Sequence, residues 1–172
     1  MGELANYLQL IDTTTTGRYD VTPLFANYAA FAALLADLDT CFRDVDSDVV
    51  AGIDALGFIL GTGLALRRGV GFVPVRKSGK LPGVVHRAEL VDYAGARKTL
   101  ELRDDAIRPG TRVLIADEWI ETGAQVTAAI RLIEGQGGIV VGVATIQIEE
   151  NERTRPLRER YDCRAAYNGP AL

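Results

Sequence analysis

Three carboxylates stand close together in the segment VLIADEWIETGAQ, residues 113–125, at Asp117, Glu118 and Glu121. The apolar residues before them are typical of a buried strand, and the residues after them are typical of a turn that opens a helix. Carboxylates this close repel one another, because like charges raise the electrostatic free energy. The spacing therefore predicts a site for a ligand that is positively charged or rich in hydroxyl groups.

The turn that follows the carboxylates is suited to binding an anion. It consists of Thr122, Gly123, Ala124 and Gln125. Successive backbone N–H groups at the start of a helix can point at one phosphate, and the helix dipole adds to the attraction. Gly123 lets the backbone approach the ligand closely. A phosphate in this turn and two carboxylates just before it suggest a sugar phosphate, with the carboxylates bound to vicinal ribose hydroxyls.

A strand, a helix and a second strand must position this site. The first strand is RVLIAD (112–117), the helix runs from Val126 to Ile133, and the second strand is IVVGVATIQI (139–148). Such a unit forms a right-handed crossover in a parallel sheet that is covered on both faces. We therefore predict an α/β fold, a doubly wound parallel sheet flanked by helices. Ligands of such sheets bind beyond the carboxyl ends of the strands, where the carboxylates lie.

Earlier segments supply further elements of the same fold. Val49 to Ile53 is a predicted strand that ends beside Asp54, and a helix follows from about Phe58 to Arg68. Residues 69–76, GVGFVPVR, predict a second short strand.

Two segments are predicted to lie outside the central sheet. Residues 22–42 have apolar positions at helical spacing and predict one helix, with Thr22 as its cap and Pro23 in its first turn. Residues 77–103 are polar and interrupted by glycine and proline, so we expect a long loop with some β character. Long loops in compact domains are usually functional lids.

The chain as a whole has the size of one ordinary domain, residues 1–172, rather than two. Its formal net charge of −4 argues against a general nucleic-acid binder, and no apolar run is long enough to span a membrane. The N-terminal residues lack the basic start and apolar stretch of a signal peptide, so we expect a cytoplasmic protein. One histidine and two cysteines do not form a metal cluster, and we predict no dedicated metal-binding residues.

Several segments resemble those of a known enzyme family. VLIADEWIETGAQ resembles the phosphoribosyl diphosphate (PRPP) motif of the type I phosphoribosyltransferases, which has four apolar residues, two acidic ones and a Thr-Gly turn. The segments YDVTPLF (19–25), VAGIDALGF (50–58) and RKSGKLPG (76–83) are similar, in order and spacing, to further segments of the adenine phosphoribosyltransferases. The resemblance runs from about Gly17 to Glu150, most of the chain.

This resemblance implies a fold and a reaction. The fold is the type I phosphoribosyltransferase fold with a small hood and a flexible lid loop, and because the family is usually dimeric we expect a homodimer. The reaction is the transfer of ribose 5-phosphate from PRPP to a purine nitrogen, which gives a nucleoside monophosphate such as AMP and releases diphosphate. Mg²⁺ is the implied cofactor, held mostly by diphosphate oxygens and water.

Positions that match the family carry the implied roles. The turn from Thr122 to Gln125 holds the 5′-phosphate, while Asp117 and Glu118 hold the ribose hydroxyls. Six residues are assigned to the diphosphate and to the turn beside it: Arg76, Lys77, Lys80, Asp54, Ala55 and Leu56. The chemistry agrees, because a departing diphosphate needs fixed cations and an oxocarbenium-like sugar needs nearby carboxylates.

Four positions depart from the pattern of the adenine enzymes. Glu121 and Gln125 replace small or hydroxyl residues, Leu56 replaces a typical arginine, and Arg18 stands about where an aromatic residue stacks on adenine. Glu121 matches an aspartate of the 6-oxopurine enzymes that exchanges a proton with the purine, and it could do the same work. Gln125 completes a Thr122-x-x-Gln125 capping box, which would compete with a phosphate for one backbone donor.

Three further residues are candidates for contact with the base. Trp119 either stacks on the base in place of the missing aromatic residue or packs as an ordinary side chain. Glu149 ends a strand and can only accept hydrogen bonds, so it would favour an exocyclic amino group such as that of adenine. Asp92 lies near the place of the lid glutamate that acts as general acid in the adenine enzymes, with the register off by about one residue.

Simpler interpretations and other functions stand beside these. Adjacent acidic residues at a strand end commonly form a solvated turn, and Glu121 favours the helix dipole whether or not it is catalytic. The leading hypothesis is a purine phosphoribosyltransferase of adenine type. Leu56 and Gln125 leave open a PRPP-binding regulatory protein without turnover. Arg18 and Glu149 leave open a phosphoribosyltransferase for a non-standard heterocyclic base.

Overall fold

A computed structural model describes residues 7–14, 19–92 and 94–169 of the chain. The helices are α1 (Thr22–Ala26), α2 (Tyr28–Cys41), α3 (Leu56–Arg68), α4 (Ala124–Gly135) and α5 (Arg155–Arg160), with a 3-10 helix at Leu8–Leu10. The strands are β1 (Val49–Ile53), β2 (Gly71–Lys77), β3 (Val85–Val91), β4 (Arg97–Arg103), β5 (Arg112–Ile120), β6 (Ile139–Ile148) and β7 (Cys163–Ala165).

The strands form one seven-stranded sheet in the order β3-β4-β2-β1-β5-β6-β7. The central strand, β1, pairs in parallel with β2 and β5, and β6 and β7 continue the parallel arrangement. At the other edge, β3 and β4 are antiparallel to each other, and β4 joins β2 in antiparallel pairing. The predicted α/β fold with flanking helices is confirmed, and the sheet is mixed rather than wholly parallel.

The segment from residue 77 to residue 103 is largely a β-hairpin and not a long loop, which corrects the prediction. Strand β4 is shielded on both faces, because the consecutive residues Leu100, Glu101 and Leu102 are all buried, whereas Arg87 and Glu89 on β3 are exposed. These exposed charges interrupt the apolar pattern from which a strand is predicted.

Helices cover both faces of the parallel strands. One core cluster joins the sheet to α4 through residues such as Ile130 and Ile133. A second cluster joins it to α2 and α3 through residues such as Leu34 and Leu64. Full burial of each such side chain contributes about 1.5–3 kcal/mol, so both layers hold the carboxyl ends of the strands in place. Among the described residues, no helix has the length and apolar character needed to cross a membrane.

The helix predicted over residues 22–42 is divided into α1 and α2 at Asn27. The backbone of Asn27 is extended, with φ −96° and ψ 107°, and its side-chain oxygen accepts a hydrogen bond from the backbone N–H of Ala30 at 3.1 Å. Asparagine is favoured as an N-cap over a helix interior, so the side chain starts a new helix where apolar spacing alone predicted continuity.

Strand β5 extends three residues beyond the predicted end at Asp117. Trp119 and Ile120 continue the parallel ladder opposite Gln147 and Ile148 of β6. The prediction ended the strand at the first charged residue, whereas pairing with a long neighbour carries the backbone onward.

Candidate active site

The carboxylate pair lies just past the end of the central strand. Strand β1 pairs with β5 as far as Ala116, opposite Gly52, and then turns away into α3. Asp117 and Glu118 are thus the first residues of β5 beyond β1, although they still belong to β5. This is the carboxyl edge of the sheet, where parallel sheets bind ligands.

Asp117 is buried without a full complement of positive charge. Its side chain is 4% exposed, and Oδ1 accepts a hydrogen bond from the backbone N–H of Glu118 at 3.1 Å. Burial raises the pKa of Asp117 well above its ordinary value and the charge of Glu118 raises it further, while Lys77 acts in the opposite direction. A ligand that offers hydroxyl donors or a cation would stabilise the charged pair.

Gly57, in the first turn of α3, lies directly against this pair. A Cβ atom at Gly57 would stand 2.6 Å from the carbonyl oxygen of Ala116 and 3.2 Å from Oδ1 of Asp117. A Cβ at Gly52 would likewise stand 2.4 Å from the carbonyl oxygen of Gly57. The close approach of α3 to β1 and β5 therefore requires glycine at both positions.

Asp54 connects the ends of β1 and β2. Its Oδ2 lies 3.5 Å from Nε of Arg76 and accepts a hydrogen bond from the backbone N–H of Lys77, also at 3.5 Å. Arg76 in turn donates from Nη1 to the backbone carbonyl of Lys80 at 3.1 Å. A cis peptide bond joins Asp54 to Ala55. The predicted diphosphate cations and the predicted turn beside them are thus neighbours in the fold.

Leu56 begins α3 directly after this turn. Its half-buried side chain packs against the core cluster of α2 and α3. Where the adenine enzymes typically have an arginine, this chain therefore has an ordinary packing residue without charge.

The predicted phosphate turn has glycine at its centre. Gly123 is the N-cap of α4 with φ +72°, a left-handed conformation that glycine adopts most readily. Thr122 Oγ1 accepts a hydrogen bond from the backbone N–H of Ala124 at 3.3 Å. Gln125 is exposed, and no side chain caps the helix. The predicted capping box is wrong. It requires Thr122 as the N-cap, whereas the N-cap is Gly123 and the helix begins at Ala124.

A cavity of about 460 Å³ separates the phosphate turn from the hairpin. Four residues of the turn and α4 line one side, namely Thr122, Ala124, Thr127 and Arg131, and Glu89, Leu90, Val91 and Arg97 of the hairpin line the other. The hairpin thus lies across the opening of the predicted 5′-phosphate site.

Glu121 and Glu149 share a second cavity of about 460 Å³ on the other side of Thr122. Asn151 links them, because its Nδ2 donates to the backbone carbonyl of Glu121 at 2.8 Å and to Oε2 of Glu149 at 3.3 Å. The ends of β5 and β6 are also joined by a hydrogen bond from the N–H of Glu149 to the carbonyl of Ile120, at 2.9 Å. Glu121, the candidate for proton exchange, and Glu149, the candidate for contact with the base, therefore lie close together.

Trp119 is half-buried and packs against Tyr19, with ring centroids 4.8 Å apart and planes inclined by 58°. Both rings lie against the core cluster of α2 and α3, which favours the packing interpretation of Trp119. Arg18, the other candidate for this part of the site, lies outside the described residues.

Asp92 lies where the hairpin turns. Its Oδ1 accepts hydrogen bonds from the backbone N–H groups of Ala94 at 3.0 Å and Ala96 at 2.9 Å, and Oδ2 is 3.9 Å from Nζ of Lys98. These contacts give Asp92 a role in shaping the turn, which is the usual role of aspartate in such turns.

Three residues that contact the site were not predicted from the sequence. Gly57 and Asn151 carry no charge, so nothing but their position relative to the motif could have indicated them. Glu101 alternates with Leu100 and Leu102 in the segment TLELR, so the pattern places it on the face opposite these apolar residues and gave no sign of its burial.

Comparison with known proteins defines the class. Residues 25–166 match the phosphoribosyl transferase domain, and because this is most of the chain, the chain belongs to that family. It is 47% identical over 144 residues to an adenine phosphoribosyltransferase of Dinoroseobacter shibae, covering 83% of this chain and 79% of that protein.

Solved structures agree in fold. The adenine phosphoribosyltransferase of Thermoanaerobacter pseudethanolicus superposes with a TM-score of 0.87 at 32% identity, over 95% of this chain and 98% of that one. The Saccharomyces cerevisiae enzyme, solved with adenine and an imino-altritol bisphosphate, superposes with a TM-score of 0.82 at 28% identity and the same coverage of both chains.

Proposed function

We propose that this chain is an adenine phosphoribosyltransferase, which transfers ribose 5-phosphate from PRPP to a ring nitrogen of adenine and gives AMP and diphosphate. The observation that carries the proposal is the arrangement at the carboxyl edge of the sheet. There the Asp117–Glu118 pair is followed by Glu121 and by the start of α4, whose N-cap is Gly123. Lys77, at the end of β2, is close enough to Asp117 to interact with its charge. The 47% identity to an enzyme of this name supports the choice of adenine.

The residues divide the work of the reaction among three parts of PRPP. The turn from Thr122 to Gln125 binds the 5′-phosphate, so that the sugar is held at a fixed distance from the carboxylates. Asp117 and Glu118 bind the ribose hydroxyls and stabilise the positive charge that develops as the bond from C1′ to the diphosphate oxygen breaks. The base nitrogen then bonds to C1′ and gives its proton to the carboxylate of Glu121, the candidate general base.

The departing diphosphate is stabilised by the cations at the end of β2. Arg76, Lys77 and Lys80 supply this charge, and the contact of Arg76 with Asp54 orients one of them toward the turn. The exposed position of Gln125 leaves the backbone donors of the phosphate turn available. The packing of Leu56 leaves the diphosphate with one cation fewer than in the family pattern.

We propose Mg²⁺ as the cofactor. Carboxylate oxygens suit this hard cation, which typically binds one or two carboxylates together with substrate phosphates and water. No group of three or more candidate side-chain ligands occurs among the described residues. Asp117 or Glu118 would supply protein oxygens beside those of the diphosphate, and the cation would neutralise charge on the diphosphate.

The base is proposed to bind, and to be selected, in the cavity that Glu121 and Glu149 share. A glutamate carboxylate accepts hydrogen bonds and so favours the exocyclic amino group of adenine. Diphosphate release from PRPP, measured across adenine, 6-oxopurines and other heterocycles, tests the assignment. Release with adenine alone supports it, release with another base corrects the substrate, and PRPP binding without release indicates a regulatory protein.

A homodimer in a cytoplasmic purine-salvage role completes the proposal. Ile59 and Leu66 are 40% and 78% exposed, and their spacing places them on one face of α3. Exposed apolar residues on a shared face mark association surfaces. Light scattering should give a dimeric mass that Leu66→Glu lowers and Ile139→Glu, which alters an exposed residue at the start of β6, does not. A monomeric wild type would contradict the dimer.

A further inference from the structure

A buried carboxylate outside the site contacts the loop that carries the diphosphate cations. Glu101, in β4, is 1% exposed. It is the direct cross-strand neighbour of Arg76 on β2 and of Arg87 on β3. A buried carboxylate is costly unless hydrogen bonds and positive charge replace its water, so its partners indicate its purpose.

Three donors reach the Glu101 carboxylate. Ser78 Oγ and Arg87 Nε donate to Oε1 at 3.0 and 2.9 Å, and the backbone N–H of Gly79 donates to Oε2 at 2.9 Å. Burial by itself raises the pKa of Glu101, but these hydrogen bonds outweigh it and the pKa lies below its ordinary value. The group is therefore charged at neutral pH, and two of its three donors belong to the turn between Lys77 and Lys80.

We propose that Glu101 is the positioning residue of the diphosphate-binding loop, holding the turn at Ser78 and Gly79 in place before the anion arrives. The far side of the same turn is held by Arg76, which donates to the carbonyl of Lys80. The loop is thus fixed from both sides, with its cations flanking it. Ordering several long side chains only on binding would weaken affinity by about tenfold or more.

This inference rests on the proposed function and deepens it, because Glu101 touches no part of the substrate itself. Glu101→Gln keeps the volume and removes the charge. The amide oxygen can still accept from Ser78 and Arg87, whereas the amide NH₂ would face the N–H of Gly79 and leave that donor unpaired. Ser78→Ala removes a single hydrogen bond and keeps the charge and the contact with Arg87.

Calorimetric titrations with PRPP, diphosphate and ribose 5-phosphate test the proposal, with a thermal melt of each variant. Glu101→Gln should raise the Kd of PRPP and of diphosphate by about tenfold and leave that of ribose 5-phosphate within about twofold. Ser78→Ala should shift the same two ligands by about threefold. The control is Asp105→Asn, which makes the same charge change at an exposed residue paired with Arg103 at the end of the hairpin.

Each outcome of these titrations either supports or overturns the positioning role of Glu101. Equal weakening of all three ligands, or unchanged affinities in a folded Glu101→Gln variant, would overturn the positioning role. If that variant does not fold, the selectivity of Ser78→Ala for diphosphate ligands supports or overturns the proposal in its place. A wild-type protein that binds neither PRPP nor diphosphate would overturn the proposed function itself, which distinguishes that failure from the failure of the Glu101 assignment.

Discussion

Replacing Gly57 by alanine adds one methyl group where α3 lies against the backbone of β5. The new Cβ would lie 2.6 Å from the carbonyl oxygen of Ala116 and 3.2 Å from Oδ1 of Asp117. Because the first neighbour is backbone, it cannot rotate away as a side chain would. Restoring the 3.4 Å of ordinary contact requires the start of α3 or the end of β5 to move by about 0.8 Å.

The cost of this movement falls on stability and, more strongly, on catalysis. Overpacking costs about 1–3 kcal/mol, and the better helix propensity of alanine returns about 1 kcal/mol. A net loss of about 0–2 kcal/mol lowers the melting temperature by up to about 8 °C for a chain of this size. A displacement of about 1 Å in a reacting group costs about 10² in rate, so turnover should fall further than stability.

Steady-state kinetics and a thermal melt of Gly57→Ala measure both effects. Gly135→Ala is the matched control, because a Cβ there meets nothing within 4 Å at the end of α4, and this variant should be neutral or slightly stabilised. Wild-type turnover and melting in Gly57→Ala would refute the claim that the close contact positions Asp117.

Three further sets of substitutions test the site. Asp117→Asn or Glu118→Gln should lower turnover by about 10² or more, because each removes charge beside a developing cationic sugar; near wild-type activity in both would contradict the ribose assignment. Burial raises the pKa of Asp117, so its contribution to stability is complete below the ordinary aspartate pKa and is lost as the pH rises through the folded-state pKa. Asp117→Asn should therefore melt above the wild type at neutral pH, and a lower melting temperature would count against the burial argument. Arg76→Ala and Lys80→Ala should weaken PRPP far more than ribose 5-phosphate in calorimetry, and equal losses would remove them from the diphosphate. Glu121→Gln should preserve PRPP binding and slow single-turnover chemistry by about 10²; an unchanged step with a small loss of stability would leave Glu121 only a helix-dipole role.

Four of the five parallel strands were predictable because they contain apolar runs, whereas the short parallel strand β7, Cys163–Ala165, was not predicted. Val49–Ile53 was predicted at the observed bounds, and the strand that begins at Ile139 was predicted in full. Where charge or capping decides the structure, apolar spacing failed. Asn27 divides a helix that the spacing joins, and the exposed charges on β3 hid a hairpin.

The proximity of candidate site residues was predictable where they form a local motif, and not where they act from a distant strand. Asp117, Glu118 and the turn at Thr122 lie in one segment, and the structure places them together. Glu101 acts on Ser78 from 23 residues away. That contact depends on the antiparallel pairing of β4 with β2, in a segment whose polar pattern predicts a loop.

Gln125 and Leu56 are the two departures from the family pattern that favour a protein without turnover. In the structure, the argument from Gln125 is removed and the argument from Leu56 remains. Gln125 is exposed because Gly123, rather than Thr122, is the residue that caps α4. The competition between a glutamine side chain and the 5′-phosphate therefore does not arise. Leu56 does remove a positive charge relative to the family pattern, and its half-buried side chain packs against the core cluster of α2 and α3.

On the proposed diphosphate assignment, the loss at Leu56 is one of charge. The remaining cations stand on a turn held from one side by Glu101 and from the other by Arg76. Fixed charges stabilise a developing anion without reorganising when the reaction occurs. The expected consequence is an enzyme that binds PRPP more weakly than its relatives but retains turnover, with the rigidity of the loop offsetting part of the missing charge.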